Sequence, residues 1–367
     1  MESRLTLIIT CSAIPSHPNP VVLQTVLSSL FQYTPALLQC HLIIVFDGWK
    51  VVPEGKEASK QAAITESQRQ NYSQFVDGTI SFLGLNWGKK EWTGDWMKEK
   101  WAVLDMIGPD SPPPLVSMLH GDDAKQEFPD DDARVTTATW FPITIPPTSK
   151  TIDNSMDVFE TQRSDSGPVI LTCLKVTGPR LGQALAVREA MQYVKTDYVF
   201  AMQHDWRMNE AIDISAFLDL MDTHTDINYL GFISRRTQGY ASAISGRVGL
   251  PSAVIDPPIH PTIPLCRSFF WFDKNHIART QFYKEHVFSG EYKFKRGDFI
   301  EDTMGHVLLK EVKEGGLEAW RRWGCYLYYP EEGKRNGLVH VNGRQYLSNE
   351  DKIELEESGR SGSISIV

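Results

Sequence analysis

A chain of 367 residues, 41% hydrophobic and 23% charged, is long enough for one large folded domain or two smaller ones. A net charge of −9 excludes the broad basic face of a nucleic-acid binder, and no apolar run approaches the roughly 18 residues that cross a bilayer. The five cysteines (Cys11, Cys40, Cys173, Cys266, Cys325) are dispersed without a CxxC pair, which points to reduced core thiols rather than a disulfide frame or zinc site. The apolar start "LTLIIT" ends at Pro15 without a small-residue cleavage pattern, so a cytoplasmic chain is expected.

Residues 5–10, "LTLIIT", predict a buried strand. "VVLQTVLSSLFQY" follows with helical apolar spacing (Val22, Val26 and Leu30, with Leu23 and Leu27 beside them), and Pro20 stands just before it. "HLIIVFDG" (41–48) is a second apolar strand ending in Asp47-Gly48. Strand, helix and strand form a βαβ unit, hence a parallel sheet with ligands at the carboxyl ends of its strands. Residues 49–165, with Trp92, Trp96 and Trp101 and an acidic loop, read as an insertion. The pattern then returns: "PVILTCLKV" as a strand, "GPRLGQALAVREAMQYV" as loop and helix, and "DYVFAMQHDW" as a strand ending in imidazole, carboxylate and indole. A helix "ISAFLDLMDTH", a strand "INYLGFIS", an aromatic stretch "RSFFWFDKNHIA", an acidic helix start "GDFIEDTMGHVLLKEVKEG" and a late strand "WGCYLYYP" complete a single domain over 1–345. Residues 346–367 read as a polar tail.

Polar clusters sit at these strand ends and helix starts: Asp47, Gln203-His204-Asp205, Glu301-Asp302, and His340 with its basic neighbours. In a parallel α/β sheet such ends converge on one edge, so groups distant in sequence can share a pocket. Carboxylate and imidazole together suit a divalent cation, which neutralises charge on a diphosphate leaving group.

The order of these features resembles the GT-A glycosyltransferases of the family-2 type, over roughly residues 4–48 and 165–343. The resemblance implies an α/β fold of the GT-A (Rossmann-like) kind, a mixed, mainly parallel central sheet flanked by helices, with the inserted segment at 49–165. It implies that Asp47 holds base or ribose, that Gly182 and Arg188 belong to the glycine-rich segment and helix before the metal motif, and that "QHD" stands where the metal motif lies. "FIEDTMG" is similar to the motif that carries the catalytic base of inverting members, here Asp302. "GLVHVNG" is similar to the C-terminal histidine segment, here His340. The family's metal motif offers two acids; here the first is Gln203, so the divalent cation (Mn2+ or Mg2+) is expected on Asp205 and His340 alone, or phosphate is held by basic residues instead.

Each residue has a plainer reading beside the functional one. Asp205 could cap the helix that follows, yet it lies directly on the strand end, which favours metal or phosphate work. His204 is either a hydrogen-bonded structural histidine or a ligand of the donor. Trp206 either packs in the core or walls the sugar or base. Asp302 and Glu301 could be first-turn acids on a helix dipole; the apolar neighbours favour Asp302 as general base, with Glu301 orienting a partner. Asp47-Gly48 could be a turn alone. Arg188 could be a solvated charge, but its apolar neighbours favour a place along a groove where the guanidinium pairs with phosphate oxygens. Lys334, Arg335, His340 and Arg344 lie in a loop (331–344) that is either a solvated basic segment or a lid closing on a diphosphate. Trp271 and Asp273 are core and cap residues, or the acceptor side of the pocket.

The expectation is an inverting transfer of sugar from a nucleotide-sugar donor, UDP-sugar being favoured by the resemblance, to a hydroxyl of a glycan, glycoprotein or small-molecule acceptor. The rivals are a sugar nucleotidyltransferase, against which the absence of a glycine-rich basic loop in "CSAIPSHPNP" counts, and a non-catalytic sugar-binding protein.

Overall fold

The computed structural model describes residues 3–14, 20–53, 63–88, 125–127, 135–143, 154–163, 167–255 and 262–341. Strand β1 (Leu5–Cys11) is buried along its whole length, as a continuous run of apolar and β-branched residues requires at a sheet centre. Helix α1 (Val21–Tyr33) starts after Pro20. It turns Val22, Val26, Leu30, Leu23 and Leu27 inward, none more than 2% exposed, and each such side chain contributes about 1.5–3 kcal/mol by leaving water. Strand β2 (His41–Phe46) then lies parallel to β1. Helix α2 (Glu66–Asn86) opens on a capping box between Thr65 and Gln68, which satisfies two end N–H groups reciprocally.

Three strands, β3 (Lys125–Glu127), β4 (Val135–Ile143) and β5 (Asn154–Gln162), pair antiparallel in succession. Part of the segment 49–165 therefore continues the main sheet instead of standing off it. Trp92, Trp96, Trp101 and the acidic loop lie outside the described residues, as do Arg344 and the tail.

β6 (Val169–Thr177), helix α3 (Gln183–Ala190), β7 (Tyr198–Gln203) and the short β8 (Trp206–Met208) follow. Next come α4 (Ile214–Thr223), β9 (Tyr229–Phe232), β10 (Leu265–Arg267) and β11 (His276–Arg279). A π-helical turn, Glu301–Gly305, leads into α5 (His306–Trp323), then β12 (Cys325–Tyr328) and β13 (Leu338–His340). The large sheet has eleven strands in the order β10-β12-β9-β11-β7-β1-β2-β6-β5-β4-β3. Its centre, β7-β1-β2-β6, is parallel. β11 runs antiparallel between β7 and β9, and β9 and β12 again share the central direction. This is a mixed, Rossmann-like α/β arrangement with a parallel centre, as expected from the sequence. All five cysteines are buried as thiols, and no helix among the described residues is long and apolar enough to cross a membrane.

Candidate active site

The carboxyl ends of β1, β2, β6 and β7 open onto one cavity of about 540 Å³, whose lining includes Asp47, Gly182, His204, Asp205, Trp206, Asp273, Glu301, Asp302 and His340. Sequence-distant acids and imidazoles thus share a pocket, because four parallel strands end on the same edge. A second hollow of about 470 Å³, lined by Trp49, Pro179 and Arg296 among others, joins it through Arg180.

Asp47 is a clamp at the end of β2. Its Oδ1 accepts the N–H groups of Gly48 (2.7 Å) and Leu181 (2.6 Å), and its Oδ2 that of Gly182 (2.9 Å). Burial raises its carboxyl above the ordinary range while these donors and Arg180 oppose the rise. Gly182 starts α3 at φ 91°, and a Cβ there would lie 2.5 Å from Gly297 Cα. No other residue fits, since both the backbone region and the close approach exclude a side chain. The glycine-rich segment 178–182 is thereby locked between Asp47 and Gly297.

At the end of β7, Gln203 donates from Nε2 to the Asp273 carbonyl at 3.1 Å. His204 is buried, its N–H bonded to the Thr10 carbonyl at 3.0 Å, with Nδ1 between that oxygen (3.2 Å) and the Ser12 N–H (3.4 Å). Asp205 does not cap α4; Asp213 does, accepting from the Ala216 N–H at 3.2 Å. Asp205 Oδ2 instead meets His340 Nε2 at 3.1 Å, while Oδ1 is buried with no hydrogen-bond partner among the described residues. Burial raises its carboxyl, but the His340 bond and the nearby His204 outweigh burial and hold it below the ordinary value. His340 is placed by register: β8 pairs antiparallel with β13, setting Trp206 opposite His340, with their rings 4.7 Å apart.

On the facing wall, Asp273 and Glu301 bind each other reciprocally: Asp273 N–H donates to Glu301 Oε2 (3.0 Å) and Glu301 N–H to Asp273 Oδ2 (2.9 Å). Burial, with Glu301 and Asp302 adding negative charge, pushes the Asp273 carboxyl well up, against the Glu301 N–H. Asp302 is exposed on the π-helical turn and lines the cavity with Phe272 and Phe299. Three acids on one wall thus divide into a hydrogen-bonded pair, buried Asp273 with half-buried Glu301, and one solvent-facing carboxylate.

Three expectations fail. Arg188 does not line the cavity; it pairs with Glu189 at 2.7 Å. Gln183 and Ala186 are the cavity-facing positions of α3, and two further residues turn the side chain about 200° away. Lys334 and Arg335 pair with Glu332 and Glu210, outside the cavity lining, because that segment is tied down by β13. Trp271 is fully buried in a ring cluster with Tyr229, Phe282 and Tyr283, so it packs behind the wall and offers no face to a sugar. Replacing Lys334 by Ala should therefore leave the melting temperature within about 2 °C of the parent, an exposed pair being worth about 0–1 kcal/mol; a thermal melt checks this.

Arg180, Arg236 and Lys274 also line the cavity and were not singled out from the sequence. Arg180 follows the end of β6 and Arg236 the end of β9, so the strand-end rule, applied evenly, finds both. Lys274 stands beside Asp273 with no such signal.

Among the described residues no group of three or more His, Cys, Asp or Glu is arranged to hold a metal ion. Asp205 and His340 supply one oxygen and one nitrogen donor, and Asp205 Oδ1, with no partner among the described residues, is a group an ion would satisfy. A cation there fits as one held by two protein donors and completed by phosphate oxygens and water.

No protein-family model matches this sequence, and no curated protein matches it. Among solved structures the chain is similar to Staphylococcus aureus TarS 1-349 in complex with UDP (9% identity, TM-score 0.37, 96% of this chain and 63% of that one). It is also similar to TarS 1-349 in complex with UDP-GlcNAc (9%, TM-score 0.38, 96% and 64%). The apo form of mouse xyloside xylosyltransferase 1 matches at 8% identity and TM-score 0.29, covering 90% of this chain and 98% of that one. The chain spans less than two thirds of the TarS chain, and superpositions this loose hand down no role to any residue.

Proposed function

We propose that this chain is an inverting glycosyltransferase that moves a sugar from a nucleoside-diphosphate sugar, a UDP-sugar first, to an acceptor hydroxyl. One observation carries the reading: the Asp205–His340 pair and the Asp302 carboxylate face a single cavity at the carboxyl edge of a parallel sheet. Asp302, exposed beside Phe272 and Phe299, takes the proton of the acceptor hydroxyl. Glu301 and Asp273, bound to each other, fix the turn that presents it. Asp47 holds the 178–182 segment in place for the nucleoside, while Arg180 and Arg236 bring positive charge toward the phosphates. A divalent cation (Mn2+ or Mg2+) held by Asp205 and His340 would supply further countercharge to the diphosphate. Five buried thiols favour a reducing compartment, so the cytoplasm is the proposed location.

A thermal-shift panel of UDP, GDP, CDP and dTDP, each with and without Mn2+, tests donor class and cation use together. Stabilisation of about 2.7 kcal/mol is expected at a hundredfold excess over Kd. The part of that shift that depends on Mn2+ should vanish in Asp205→Ala. Absence of any nucleotide shift sinks the reading, and pyrophosphate formed from NTP and sugar phosphate would mark a nucleotidyltransferase instead.

A further inference from the structure

Lys274 is 7% exposed, yet it lines the cavity. Its Nζ lies 4.9 Å from the Phe272 ring centroid and 5.8 Å from that of Trp206. An ammonium carries three donors, and among the described residues this one makes a single hydrogen bond, a long contact to Thr237 Oγ1 at 3.4 Å. That oxygen is already engaged with the Ser234 N–H (3.0 Å) and carbonyl (3.1 Å). Among the described residues no carboxylate reaches ion-pair distance of Nζ, and buried charge without a partner is costly. The charged groups that act on it are Glu301, from the π-helical turn, and Arg236; Trp206, Phe272 and Thr237 are neutral. A buried cation with donors to spare on a cavity wall is provision for an anion from outside the chain.

Resting on the donor reading above, we infer that Lys274 is a catalytic residue that binds the departing phosphate of the nucleoside diphosphate. As the acceptor oxygen forms its bond to the anomeric carbon, the bond from that carbon to the β-phosphate oxygen breaks and its electron pair stays on the phosphate. The hydroxyl proton passes to Asp302, and Lys274 keeps its own proton while hydrogen-bonding the new negative charge. A preorganised ammonium placed where charge develops lowers the barrier without reorganising.

Burial lowers the Lys274 ammonium to about 8, against Glu301, which favours the charge. The unfolded chain binds that proton more tightly, so the charged side chain costs the empty fold stability below about pH 8, and the cost fades as pH rises toward 10.5. A purely structural lysine and an anion-binding one therefore differ in sign. Lys274→Met should melt no lower than the parent when empty, yet bind the nucleoside diphosphate that shifts most in the panel at least about tenfold more weakly. Binding of the corresponding nucleoside should not change. Lys274→Gln serves if the Met variant does not fold. A second reading compares the two proteins: calorimetry at pH 8.5 in two buffers of different ionisation enthalpy should show more proton uptake on binding the diphosphate in the parent than in the variant. Unchanged diphosphate affinity in the variants, or equal proton uptake in parent and variant at pH 8.5, overturns the role of Lys274 alone; no binding of any nucleotide by the parent overturns both it and the donor reading.

Discussion

Asp302→Asn should lower the turnover number for sugar transfer by about a thousandfold, within the 10²–10⁴ that a positioned general base contributes. Nucleotide affinity should stay within about twofold. The separation follows from geometry: Asp302 has no side-chain hydrogen bond or ion pair with a described residue and is exposed on its turn, so no contact is lost with its charge; the one electrostatic effect removed among the described residues is its push on the Asp273 carboxyl. The amide has the same shape and cannot accept a proton. Glu301→Gln should behave differently, because Glu301 Oε2 accepts from the Asp273 N–H and weakening that bond loosens the turn itself. Steady-state transfer kinetics beside a binding titration separate the two, and turnover within tenfold of the parent in Asp302→Asn would remove it from the role of base.

Asp47→Ala should be the most damaging substitution to the fold in this region. Three backbone N–H groups, from residues 48, 181 and 182, lose their acceptor at once. Each buried donor left unsatisfied costs about 1–3 kcal/mol, so a loss on the order of 3–5 kcal/mol is expected, a large part of a typical 5–15 kcal/mol total. The melting temperature should drop by roughly 5–10 °C. Asp47→Asn, which keeps one accepting oxygen, should fall between the parent and Asp47→Ala. Melting of the Ala variant within about two degrees of the parent would mean that water replaces the carboxylate and that the clamp is unimportant.

Much of this site was legible before any coordinates. Runs such as "LTLIIT", "HLIIVF" and "YVFAMQ" have one physical outcome, a strand buried on both faces, and a strand of that kind ends where ligands bind. Asp47 and Asp205 follow from that rule, whereas Asp302, at a helix start, and His340, on a separate two-stranded ribbon, come from the family resemblance. Arg188 was misread because a helix presents only part of its circumference to a pocket, and "ALAVREA" alone does not say which part. Trp271 was misread because an indole beside a carboxylate looks the same in sequence whether it walls a ligand or packs behind the wall. The Asp47 clamp was hidden for another reason: two of its three partners are backbone N–H groups more than 130 residues away, and main-chain donors carry no residue identity. Lys274 was hidden because burial, not spacing, makes it unusual.

The pairing of β8 with β13 also bears on how the protein is made. Asp205 leaves the ribosome 135 residues before His340, and only the arrival of the later strand sets the imidazole against it. A growing chain can thus fold its parallel centre early and still lack a finished cavity until the segment around residue 340 has cleared the ribosome. A chain released a few residues short of that last ribbon would keep its folded centre and lack the Asp205–His340 pair.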